Sequence, residues 1–124
     1  MRVLAIAVLL FLAGVAKADT GYELQQECVS KRGGPYCLGF ISGVMGTLYA
    51  WQLQGEIARK GDNSTWSLIA SGAPYYCPPD GINLGQSQQI VVKWLNEHPE
   101  QLHLPASDLV RRALESAFPC PRAP

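Results

Sequence analysis

Four cysteines and two histidines are the side chains of this sequence best suited to metal binding, nucleophilic attack or cross-linking. Cys28, Cys37, Cys77 and Cys120 include no C-x-x-C pair, and His98 and His103 are not placed as a ligand pair, so no zinc spacing is present. A Cys–His hydrolase needs a free thiol, whereas an even cysteine count in a small exported chain favours two disulfides. There is no G-x-S-x-G elbow, no H-E-x-x-H pair and no phosphate-binding glycine loop. We therefore expect no catalytic residues, no metal and no cofactor. His98 and His103, five residues apart across Pro99, are expected to cap or bridge an interhelical turn. Trp51, Trp66 and Trp94 are read as core or interface anchors.

Disulfides require an oxidising compartment, and the N-terminus offers a route to one. Met1 and Arg2 make a short positive start, residues 3–16 are an apolar run broken only by Gly14, and Ala16-Lys17-Ala18 has A-x-A spacing. Residues 1–18 read as a secretory signal peptide cleaved before Asp19. As a membrane span the run is too short, rising about 21 Å against a hydrocarbon core of roughly 30 Å. Cleavage leaves 124 − 18 = 106 residues. With Arg2 and Lys17 gone, the ten-to-ten balance of basic and acidic side chains becomes 8 − 10 = −2. That charge argues against nucleic acid as a partner, and the mature chain, residues 19–124, is expected to be soluble, with no membrane insertion.

The elements that position these residues are helices. Thr20 and Glu23 have the spacing of a capping box, so a first helix should run from there to about Ser30, ended by Gly33-Gly34-Pro35. A second helix should cover residues 36–53 or beyond. Within it Gly39, Ser42, Gly43, Gly46 and Ala50 form a ridge of small side chains, and each glycine costs roughly 1 kcal/mol relative to alanine. The compensation is expected from close packing of that ridge on another helix, within the subunit or across a dimer. Residues 55–76 have poor periodicity and read as irregular, with a short turn around Trp66, Leu68 and Ile69. Asn83 caps a third helix whose apolar face is Ile90, Val91, Trp94 and Leu95, and Pro99 ends it. Pro105 opens a fourth, in which Ala106, Leu109, Val110, Ala113, Leu114, Ala117 and Phe118 hold a strict helical period. The fold class expected is all-α: a small bundle of four main helices with two disulfides and an irregular segment between the second and third helices.

Four cysteines allow three pairings. If the third and fourth helices form an antiparallel hairpin, Cys77 before one and Cys120 after the other lie at the same end. By the same reasoning Cys28 faces Cys37. This pairing is preferred, with Cys28 to Cys120 and Cys37 to Cys77 as the alternative. Chain-closure entropy assigns roughly 4 kcal/mol to the longer loop and roughly 2.5 to the shorter.

An ordered set of segments carries a family resemblance. Tyr36-Cys37-Leu38-Gly39-Phe40-Ile41-Ser42-Gly43 is followed by Cys77-Pro78-Pro79-Asp80-Gly81, then Glu97-His98-Pro99-Glu100, and last Phe118-Pro119-Cys120. Together, over residues 22–120, they resemble the Rap/Tai family of periplasmic immunity proteins directed against type VI secretion amidase effectors. Gly46 departs from the pattern, standing where a polar residue is expected. The resemblance implies a small, mainly helical, disulfide-bonded domain, often a homodimer, that binds a peptidoglycan amidase effector and blocks its cleft in the periplasm. It also implies a projecting inhibitory loop, for which residues 55–76 and the turn at 98–104 are the two candidates. The first is favoured, with Asp62, Asn63 and Trp66 as its partner-binding residues and Trp66 the aromatic anchor. Two other classes fit the same residues: an HdeA-like periplasmic holdase chaperone, and a structural envelope protein without an enzyme partner.

Overall fold

A computed structural model of the chain describes residues 19–30, 34–60 and 76–121. The signal-peptide reading of residues 1–18 lies outside them. Four α-helices, α1 (Gly21–Ser30), α2 (Pro35–Lys60), α3 (Leu84–Glu97) and α4 (Ala106–Ala117), are joined by a short 3-10 turn, Pro99–Gln101, between α3 and α4. Each helix packs against the other three, and the α3–α4 hairpin makes the most extensive contact. The two pairings preferred from helix geometry are the ones formed, Cys28–Cys37 and Cys77–Cys120.

The helix starts follow local side-chain chemistry. The Glu23 amide donates to Thr20 Oγ1 at 3.3 Å while Glu23 Oε2 accepts from the Thr20 amide at 2.8 Å, which completes the reciprocal cap of α1. At α3 the Asn83 side chain accepts from the Gln86 amide at 2.9 Å. Helix α4 has a different start. Pro105 occupies the cap position without a side-chain bond, and the Ala106 amide donates to the carbonyl of Asp19 at 2.8 Å.

The core is a single cluster drawn from all four helices. It contains Leu24 and Cys28 of α1, Cys37, Ile41 and Leu48 of α2, Val91 and Leu95 of α3, and Ala106, Leu109, Val110, Ala113 and Leu114 of α4, with Tyr76 from the segment before α3. The period of α4 is realised up to Leu114; Ala117 is exposed, and Phe118 is half-buried and packs against the core cluster. On α3 the buried positions are Ser87, Val91 and Leu95, with Trp94 packed partly against the cluster. Ser87 is tolerated inside because its hydroxyl donates to the Asn83 carbonyl at 3.2 Å.

Two expectations are narrowed. Helix α2 continues to Lys60, so residues 55–60 are helical rather than irregular. A single glycine at position 55 costs only about 1 kcal/mol, and no proline or second glycine follows until Gly61, so nothing there is strong enough to stop the helix. The small-residue ridge does not pack on another helix of the subunit. Gly39, Ser42, Gly43, Gly46 and Ala50 are exposed on the side of α2 opposite Cys37, Ile41 and Leu48, and a Cβ added at any of the three glycines meets no atom within 4 Å. A ridge of small residues has the same period whichever way it faces, and the larger side chains took the core.

Candidate protein-binding surfaces

Asp62, Asn63 and Trp66, the partner contacts expected from sequence, lie outside the described residues. The surfaces that the structure does build are the α3–α4 turn, a groove beside α1, and the outer side of α2.

The turn at 98–104 is held on three sides. Its own backbone is folded by bonds from the Gln101 amide to the His98 carbonyl at 3.0 Å and from the Leu104 amide to the Gln101 carbonyl at 2.9 Å. The carbonyls of Leu102 and Leu104 accept from the amides of Tyr22 and Gly21, both at 2.9 Å, which fastens the turn to the start of α1. Arg112 Nη1 donates to Gln101 Oε1 at 2.8 Å from α4. His98 closes the end of α3: its Nδ1–H donates to the Trp94 carbonyl at 2.8 Å, and its ring stacks on Trp94 with centroids 4.0 Å apart. The capping role expected of His98 is thus found, whereas His103 is an exposed residue of the turn. Glu100 has its carboxyl held below the usual range, first by hydrogen bonding to its own backbone amide, then by the Gln101 side chain and the nearby His98. Pro99, Glu100 and His103 are presented to solvent by a backbone hydrogen-bonded to itself and to the start of α1.

Beside α1 a cavity of about 480 Å³ is lined by Asp19, Tyr22, Glu23, Gln26, Glu27 and Tyr36, and the Tyr36 hydroxyl donates to Asp19 Oδ2. A second groove of about 450 Å³ runs between α2 and α4. It is lined by Gly39, Phe40, Gly43, Val44 and Leu48 of α2 and by Asp108 and Arg111 of α4. Arg111 is paired with Glu115 at 3.0 Å one turn further along α4. The outer side of α2 also exposes Tyr36, Tyr49, Trp51 and Leu53, so Trp51 is a surface residue rather than part of the core.

Among the described residues no cysteine is free, and no three His, Cys, Asp or Glu side chains are grouped to hold a metal. No helix among them is long and apolar enough to cross a membrane. What the arrangement offers is shape: stapled helices, a fixed turn and two shallow apolar-to-acidic grooves, suited to contact with another macromolecule.

The profile of the Rap1a immunity proteins matches residues 20–120, from the capping threonine of α1 to the last cysteine. The chain belongs to the Rap1a immunity protein family. No curated protein and no solved structure matches it. Immunity proteins of this family act by binding a partner effector protein. The family and the two disulfides both point to an exported protein. In Rap1a terms the matched region coincides with the stapled bundle: both disulfides, the α3–α4 turn and the outer side of α2 fall inside it.

Proposed function

We propose that this Rap1a family member is a periplasmic immunity protein that binds a type VI secretion peptidoglycan amidase and blocks its active-site cleft. The observation that carries the reading is the family match across the whole stapled bundle. Residues 1–18 serve as the export signal, and cleavage before Asp19 frees a chain whose first residue already bonds to Ala106. The partner contact is made by the stretch carrying Asp62, Asn63 and Trp66, with the turn at 98–104 as the alternative contact. A binder that needs no rearrangement keeps the ordering cost of association low, and a turn fixed by backbone bonds from two elements meets that need.

The test is calorimetry of the purified protein with the amidase encoded beside it, joined to survival of cells that direct that amidase to the periplasm. Binding and protection are expected, and Trp66→Ala should weaken binding by about 2 kcal/mol if the ring is a central anchor. No heat of binding and no protection would sink the reading. Suppression of client aggregation only near acidic pH would instead mark a chaperone.

The same reading includes a homodimer formed through the outer side of α2. Three glycines opposed to the core are costly in a lone helix, and residues 35–54 contain no charged side chain to repel a second copy. Gly43→Leu should shift sedimentation from dimer to monomer without unfolding the subunit, since nothing lies within 4 Å of that position inside it. A wild-type protein that sediments as a monomer at high concentration would remove the dimer.

A further inference from the structure

The two disulfides differ in what surrounds them. Cys28 and Cys37 belong to the core, 4% and 0% exposed, and the Gln88 side chain closes over Cys37 with Nε2 3.3 Å from its sulfur. Cys77 is exposed and Cys120 half-buried, and their chain neighbours Pro78, Pro79, Asp80, Pro119 and Pro121 are all exposed. Thiol–disulfide exchange needs a thiolate to reach one sulfur along the S–S axis, so access decides which bond can react in the folded protein.

We propose that Cys77–Cys120 is a thiol–disulfide exchange site of the folded protein, open to a dithiol oxidoreductase, while Cys28–Cys37 is closed to it. The reductant's thiolate attacks Sγ of Cys77, the Cys77–Cys120 bond breaks, and its electron pair leaves on Sγ of Cys120, which takes a proton from solvent. The second thiol of the reductant, deprotonated, attacks the mixed disulfide and releases Cys77, which is protonated in turn. Two electrons and two protons have then passed from the dithiol to the protein, and the dithiol has become a disulfide. The reverse sequence is oxidation by a disulfide-form enzyme.

The surroundings are arranged to survive that step. In the disulfide-bonded structure the Cys77 amide donates to the Phe118 carbonyl at 2.8 Å, Tyr76 bridges to Pro119, and Gln52 Nε2 donates to the Tyr76 carbonyl at 2.8 Å, and none of these bonds uses a sulfur atom. With Tyr76 seated in the core, the two sulfurs are kept near each other when reduced. The site can therefore open and close while the bundle stays folded, and what it loosens is the clasp between the chain ahead of α3 and the chain after α4. This rests on burial and geometry and holds whichever effector is bound.

The experiment is timed exposure of the purified protein to dithiothreitol in native buffer. Samples are quenched in acid and labelled with N-ethylmaleimide, and labelled positions are read by peptide mass spectrometry. A species labelled at Cys77 and Cys120 with Cys28–Cys37 intact should accumulate, formed roughly tenfold or more faster than the fully labelled one, because the buried bond must await an opening of the core. A C77A/C120A variant should take up no label at the same dose. The proposal is overturned if Cys28 and Cys37 label first, if all four label together, or if no site labels until the protein unfolds.

Discussion

Gly21→Ala is expected to destabilise the fold by about 2 kcal/mol, and Gly21→Val by more, because the position is overpacked by any side chain. Helix propensity alone predicts the opposite sign, a gain of up to about 1 kcal/mol for Ala over Gly. The steric term wins here. A Cβ at position 21 would stand 2.2 Å from Leu109 Cδ1 and 3.3 Å from both Cα and O of Leu102. Leu109 is fully buried, so its methyl can move aside only by displacing its core neighbours, and the Leu102 carbonyl is engaged by the Tyr22 amide. Relief taken by the backbone instead lifts the start of α1 and strains the bonds from Gly21 to Leu104, from Tyr22 to Leu102 and from Ala106 to Asp19. At roughly 4–8 °C per kcal/mol for a domain near this size, the alanine variant should melt on the order of 10 °C lower. Gly43→Ala is the internal control: its Cβ meets open space, so the subunit should become slightly more stable. Thermal melts of the two variants under conditions that keep the protein monomeric should move in opposite directions. A Gly21→Ala melt equal to or above wild type would refute the packing argument.

Replacing both Cys77 and Cys120 by alanine should cost roughly 4 kcal/mol, the chain-closure value for cysteines separated by 43 residues. Loss of Cys28–Cys37, separated by nine residues, would cost roughly 2.5 kcal/mol by the same model. Burial narrows that difference. Cys28 and Cys37 are core side chains, so their removal also forfeits packing, on the order of 1 kcal/mol for each sulfur deleted. The exposed pair should therefore act almost purely on the unfolded chain, and the buried pair on both states. Urea unfolding separates the two. The C77A/C120A variant should lose midpoint with an increased slope, since the unlinked denatured chain exposes more surface, and an unchanged midpoint would show that the closure does not contribute.

Features encoded by short-range patterns are legible in the sequence. The capping box at Thr20 and Glu23, the cap at Asn83, the period of α4 through Leu114 and the hairpin that pairs Cys77 with Cys120 all follow from residues a few positions apart, or from the ends of two regular helices. Helix α2 was harder because its two sides look alike in pattern. Cys37, Ile41 and Leu48 repeat as the glycines do, and nothing local says which row faces inward. Its extension to Lys60 is obscured because residues 55–60 carry a glycine and no clear apolar period. The turn at 98–104 was legible as a turn, but its fastening to α1 was not. Those bonds join backbone groups of Gly21, Tyr22, Leu102 and Leu104, which every residue type carries. The one trace in the sequence is glycine at the first position of α1, where alanine would serve a free-standing helix better. Asp62, Asn63 and Trp66 rested on irregular composition and a family expectation, which locate a surface only coarsely.

The fastening of α1 to the α3–α4 turn also sets the order in which the molecule can be completed. Gly21 bonds to Leu104, a separation of 104 − 21 = 83 residues, and Asp19 bonds to Ala106. A chain that emerges from its N-terminus thus carries its first helix as an unfinished piece until the last third has appeared. The short-range cap at Thr20 can nucleate α1 early, but its buried side, Gly21, Leu24 and Cys28, has no partner from α4 until Leu109 arrives. Contacts this far apart in sequence raise the contact order, so this bundle should fold more slowly than one held by neighbouring helices alone.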